Sequence, residues 1–266
     1  MSDIFLETPA PQSQPEKPNP FIQIIKGFGY FLIFLAANTI VTFGLIVYYA
    51  VKSVMAAQAQ GLPYNPTTVT EEAQRQIYQN TNSLLILYTI LFIIMLVIIF
   101  AIRKKNFFEE TRLRSFSPKL LPALFVIALG LTLFINSALN LLPRGWLENY
   151  SESSSFISSG TLIGSLIAQA LCAPITEELT FRGLMLSRFN KALPKWLGIA
   201  ISSIFFGLVH GELIWFVYAA CLGAFFCFIA EKTNSIIPTI LLHAAFNTFG
   251  TVLSYIPLGV TLPVYA

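Results

Sequence analysis

Long apolar runs alternate with short polar breaks along this chain, and the breaks carry nearly all of its charge. No charged residue occurs between Lys26 and Lys52, so about 27–51 reads as a first spanning helix; crossing a bilayer takes roughly 20 apolar residues. The stretch 53–82 is polar, contains Gly61, Pro63 and Pro66, and reads as a loop. A second span, 83–102, stops at Arg103, Lys104 and Lys105, and a third runs over 120–142. From 160 to about 190 the chain begins apolar and turns amphipathic after Glu177. The runs 196–210, 213–230 and 236–256 complete a set of seven. The pattern predicts an all-α fold, a polytopic membrane bundle of about seven transmembrane helices, without an internal repeat.

Composition agrees: mean hydropathy is +0.70 and 11% of residues are charged, against about a quarter in a soluble domain. Residues 1–20 hold Pro9, Pro11, Pro15, Pro18 and Pro20 and read as a disordered cytoplasmic tail. They lack the basic and apolar regions of a signal peptide. The expected organisation is that tail, N-terminal transmembrane helices and loops over 21–159, a functional core over 160–256 and a C-terminal tail over 257–266. With a cytoplasmic N-terminus, the inner segments hold thirteen Lys and Arg and the outer ones only Lys52, Arg75 and Arg144. This bias predicts an integral membrane protein with its C-terminus on the opposite side. Basic residues lie beside apolar runs rather than in a patch, so no nucleic-acid partner is expected. Cys172, Cys221 and Cys227 all fall in apolar segments, which argues against a disulfide framework.

An ionisable group inside a span is expensive, about 2.5–3.5 kcal/mol on insertion scales, and marks function by default. The chain has two histidines, His210 and His243, both in apolar runs, and a third run holds Glu177 and Glu178. On a helix Glu178 and Arg182 are i,i+4 neighbours and can pair, which leaves Glu177, about 100° away, freer. Pro174 predicts a kink just before the acidic pair. Phe206 and His210 share one helical face, as do His243 and Asn247. Counting from a turn near 191–194 places Glu177 and His210 within about 5 Å of the same height. The groups are expected to converge nearer the cytoplasmic side than the outside. Plainer readings exist: a buried His often serves helix packing, and Glu212 reads as an interfacial residue at the outer rim. Gly160 and Gly164 suggest helix packing, and Cys172 an inert small hydrophobe. Asp3 is the sole aspartate, so a two-aspartate membrane protease is excluded, and neither an H-E-x-x-H helix nor a G-x-S-x-G elbow occurs.

In Glu177-Glu178…Arg182, Phe206…His210 and His243…Asn247 the sequence resembles the CAAX protease and bacteriocin-processing (CPBP, or Abi) family of intramembrane proteases. The likeness is to type II CAAX prenyl endopeptidases, whose motifs E-E-x-x-x-R, F-x-x-x-H and H-x-x-x-N/D lie in this order on successive core helices. It covers about 160–256. It implies a helical bundle with a cavity open to cytosol and membrane, membrane lipid as surroundings and a peptide or lipidated protein as substrate. The implied chemistry is hydrolysis by activated water. Glu177, helped by His210, would activate the water, His243 and Asn247 would stabilise the oxyanion, and Glu178 and Arg182 would orient the site. The family is often labelled metalloprotease; if zinc is bound, Glu177, His210 and His243 are the candidate ligands, while a Glu–His pair can also activate water alone. Two competing readings keep the same residues: a non-catalytic membrane immunity or regulatory binding protein, and an ion-coupled transporter, which the lack of inverted repeats disfavours.

Overall fold

The computed structural model describes residues 18–61, 65–157 and 160–256, and regular structure among them is entirely helical. The expected tail at 257–266 and all but the last three residues of the one at 1–20 lie outside the described residues. The first helix, α1 (Pro20–Ala59), opens on Asn19, whose side chain accepts from the backbone N–H groups of Phe21 and Ile22, with Pro20 where no N–H is needed. Its 40 residues extend about 60 Å, twice the thickness of a hydrocarbon core. Helix α2 (Pro66–Gln79), capped by Asn65, folds back on α1 and buries Val69 and Ala73. The expected loop over 53–82 is therefore largely helical. Its polar composition reflects an amphipathic helix outside the apolar zone rather than irregular chain.

Helices α3 (Thr81–Ile102) and α4 (Leu121–Asn140) follow, then α5 (Arg144–Ile157). Leu147 and Tyr150 of α5 pack with Leu139 at the end of α4. A continuous helix, α6 (Leu162–Phe189), carries the acidic pair. Helices α7 (Lys195–Leu208), α8 (Leu213–Thr233) and α9 (Ile237–Tyr255) complete the bundle. Six described helices are long and apolar enough to cross a membrane, one fewer than the seven expected. The exception is α7, whose 14 residues rise about 21 Å. It stops early because Gly211 takes a φ of +77°, open to glycine at little cost. Glu212 then caps α8, its Oε2 accepting from Ile214 N at 2.7 Å and Trp215 N at 3.1 Å. Glu212 is thus the N-cap of a helix, not simply a rim residue.

The basic breaks gather at one end. Arg112 reaches Glu231 at 2.5 Å and the carbonyl of Ala230 at 2.6 Å. Lys195 lies 3.6 Å from Glu231, Arg188 pairs with Glu110, and Arg103 donates to the Tyr30 hydroxyl at 2.8 Å. Helix α1 packs directly behind α6. Phe34 meets Phe181 with ring centroids 5.7 Å apart. A Cβ at Gly27 would stand 2.6 Å from the Phe189 ring, so glycine is what lets the two helices close here.

Candidate active site

Two widened turns flank the acidic pair on α6. Residues Leu166–Cys172 and Leu179–Met185 are π-helical, with Ala173–Glu178 in ordinary α form between them. One widened turn ends just before Pro174, whose nitrogen has no proton to donate. Such turns change the register of side chains along a helix and recur at functional sites. The second one preserves the expected pairing: Arg182 Nη1 donates to Glu178 Oε1 at 2.9 Å. Both side chains are fully buried. Removing two charges from water is costly, and their pairing offsets part of that cost. Arg182 Nη2 also donates to the carbonyl of Gly223 at 3.2 Å. Its guanidinium lies 4.0 Å from the centroid of Phe206 and 5.2 Å from that of Phe226, cation–π contacts that offset further desolvation.

Glu177 points elsewhere. Its side chain retains 15% exposure against 0% for Glu178, and it lines a cavity of about 250 Å³ shared with His210, His243 and Asn247. The imidazole of His243 sits between the acids. Its Nδ1 is 3.0 Å from Glu178 Oε1 and its Nε2 is 3.7 Å from Glu177 Oε2. A carboxylate can only accept, so Nδ1 carries the proton toward Glu178. His210 Nδ1 lies 2.8 Å from the carbonyl of Phe206 and must donate to it, which leaves Nε2 of the neutral ring as an acceptor. Asn247 Nδ2 donates to the carbonyl of Gln169 at 2.8 Å, within the first widened turn. The second N–H of that amide remains available. The structure thus brings Glu177, His210, His243 and Asn247 to one cavity and sets Glu178 and Arg182 behind its wall.

The candidate zinc ligands Glu177, His210 and His243 line one cavity but are not drawn together into a cluster. No three His, Cys, Asp or Glu side chains among the described residues are grouped to hold an ion.

Two contributors escape the motifs. Gln169 lines the cavity, presents the carbonyl that Asn247 meets, and donates to Asn82 Oδ1 at 3.4 Å; a glutamine inside an apolar run is itself a signal. Gly223 lets α8 approach α6, since a Cβ there would lie 3.1 Å from the Phe206 ring and 3.3 Å from Arg182 Nη2. Nothing in the local sequence marks this glycine.

The position of the cavity departs from expectation. Measured from the basic end, His243 lies about 9 Å along α9 and Thr251 about 21 Å; Thr132 lies about 16 Å along α4 and Leu139 about 27 Å. All four line the cavity, which therefore extends into the half of the bundle remote from the basic loops, not toward them. Beneath it Phe181, Leu184, Met185, Phe226 and Leu242 are fully buried.

Residues 159–249 match the model of a family described as type II CAAX prenyl endopeptidase, Rce1-like. The protein named Putative membrane peptidase YdiL, of Bacillus subtilis (strain 168), is 28% identical over 92 residues, which is 35% of this chain and 38% of that protein. The UPF0177 protein YxdF of Lactococcus lactis subsp. lactis (strain IL1403) is 30% identical over 81 residues, 30% of this chain and 44% of that protein. The aligned parts span less than half the length of either relative. No solved structure matches. The resemblance carried by the three motifs is borne out over this segment.

Proposed function

We propose that this integral membrane protein is an intramembrane endopeptidase that hydrolyses a peptide bond with water activated by Glu177. The observation that supports this most is the division of labour between adjacent acids: Glu178 is locked to Arg182 and His243, whereas Glu177 faces the cavity beside two imidazoles and an amide. Membership of the matched segment in a peptidase-type family points the same way.

In the proposed reaction a water held at Glu177 loses a proton to the carboxylate, and its oxygen bonds to the scissile carbonyl carbon. His210 Nε2 accepts the water's other hydrogen and so orients its lone pair. Negative charge develops on the carbonyl oxygen, where the free Asn247 N–H and a protonated His243 Nε2 stabilise it. Glu178 keeps that ring oriented, and Arg182 holds the Glu178 carboxylate in place. Collapse of the intermediate breaks the C–N bond, and the proton on Glu177 passes to the departing amine. The products are one carboxylate and one amine.

Purified protein in liposomes, given apolar peptides in ¹⁸O-labelled water, tests this. One ¹⁸O in each new carboxyl group is expected from wild type, and no product from Glu177→Ala. Unchanged cleavage by that variant removes Glu177 from the mechanism.

A further inference from the structure

We infer that the substrate reaches Glu177 from the side of the membrane opposite the basic loops. Resting on the hydrolase reading above, this makes the substrate class a polypeptide whose cleaved bond is presented in the non-cytoplasmic half of the bilayer, rather than the cytosolic tail of a lipidated protein.

Three independent features carry it. The first is depth. Cavity-lining residues on α8 run from Phe226, about 8 Å from Glu231 at the basic end, to Trp215, about 24 Å away. The lining positions on α4 and α9 climb in the same direction. The second is what closes the other end. Between the cavity and the basic loops lie Arg182, Phe181, Leu184, Leu242 and Ile236, all fully buried. The backbone N–H of Ile236 donates to the carbonyl of Arg112 at 3.1 Å, tying the base of α9 to the basic loop. A peptide from that side would have to displace the packed core. The third is the far end, which is covered by the short amphipathic α5 and not by a spanning helix. Tyr150 of α5 lines the cavity and meets Trp215 at 5.5 Å between ring centroids. Amphipathic aromatic rings of this kind suit a boundary between apolar and wet surroundings. With the basic loops in the cytoplasm, as the Lys and Arg distribution directs, that far end is the outer face.

Cysteine accessibility in the full-length protein tests the route separately from catalysis. In a background with Cys172, Cys221 and Cys227 replaced by alanine, single cysteines are placed at Gly250 and Asn136, which line the cavity, and at exposed Lys119 in the basic loop. A side chain at Gly250 meets nothing within 4 Å, so that cysteine fits without displacement. In intact cells a membrane-impermeant maleimide is expected to label the Gly250→Cys and Asn136→Cys proteins at least tenfold faster than the Lys119→Cys protein, with the order reversed in inverted vesicles. Labelling of the cavity cysteines only in inverted vesicles overturns the inference, as does their protection in both preparations. Adding Glu177→Ala leaves the labelling pattern unchanged. A failure to hydrolyse peptide alongside outside labelling thus counts against the reaction and not the route.

Discussion

The half of the bundle near the basic loops and the half away from them are built from the same helices to opposite ends. The basic half is solid. Arg182 and Glu178 are buried there and pair with each other, with Phe206 and Phe226 against the guanidinium and His243 against the carboxylate. The remote half is hollow, and its polar groups face a cavity with unused hydrogen-bonding capacity. Glu178 and Glu177, consecutive in sequence, mark the border between the two. The difference teaches that an ionisable residue within a membrane fold has two distinct uses. In the solid half a charge pair fixes helix positions; in the hollow half a carboxylate that no arginine or lysine holds faces the cavity and is left for chemistry.

This contrast can be broken first on its solid side. Arg182→Leu strands the Glu178 charge, and loss of one partner of a buried pair typically costs about 3–5 kcal/mol. A large fall in thermal stability in detergent is expected, with activity lost as a consequence; an unchanged melting temperature would show that the pair holds nothing together. On the hollow side, Asn247→Ala should lower kcat by about 10²–10³-fold, the worth of one oxyanion donor, while KM changes little. A change confined to KM would move Asn247 from transition-state stabilisation to substrate binding. Gly223→Val forces a branched side chain against Phe206, Ser203 and Arg182 and should destabilise by about 1–3 kcal/mol as overpacking does, measurable as a lower melting temperature. The mildest expected effect is that of Phe206→Leu. It removes the ring beneath Arg182, a contact worth about 0.5–2 kcal/mol, and should lower the melting temperature slightly without altering the ¹⁸O content of any product.

Much of the site was legible because helical periodicity alone relates close neighbours. Spacing of four residues gave the Glu178–Arg182 pair, and a turn of about 100° separated Glu177 from it, as found. The common height of Glu177 and His210 also follows from counting residues. The side on which the cavity lies was not legible. It depends on which level of six or more helices leaves a gap, and counting along one helix says nothing about the packing of others at that level. The span at 196–210 misled for a local reason: the apolar run continues through His210, but helix α7 ends at Leu208 ahead of the positive φ of Gly211. Hydropathy cannot register a backbone turn. Polar composition likewise hid the helicity of α2, whose buried face is only Val69 and Ala73. The role of Gly223 depends on a side chain 41 residues away in sequence, which no local pattern encodes.

Paired measurements on Glu177→Gln and Glu178→Gln test the contrast between the two adjacent acids most directly. For Glu177→Gln, turnover should fall about 10²–10⁴-fold, the typical contribution of a general base, with the melting temperature at the wild-type value. For Glu178→Gln, the melting temperature itself should drop as Arg182 loses its counter-charge. Full turnover by the Glu177→Gln protein, or a collapse of its stability comparable to that of Glu178→Gln, would contradict the assignment of the cavity-facing carboxylate to chemistry.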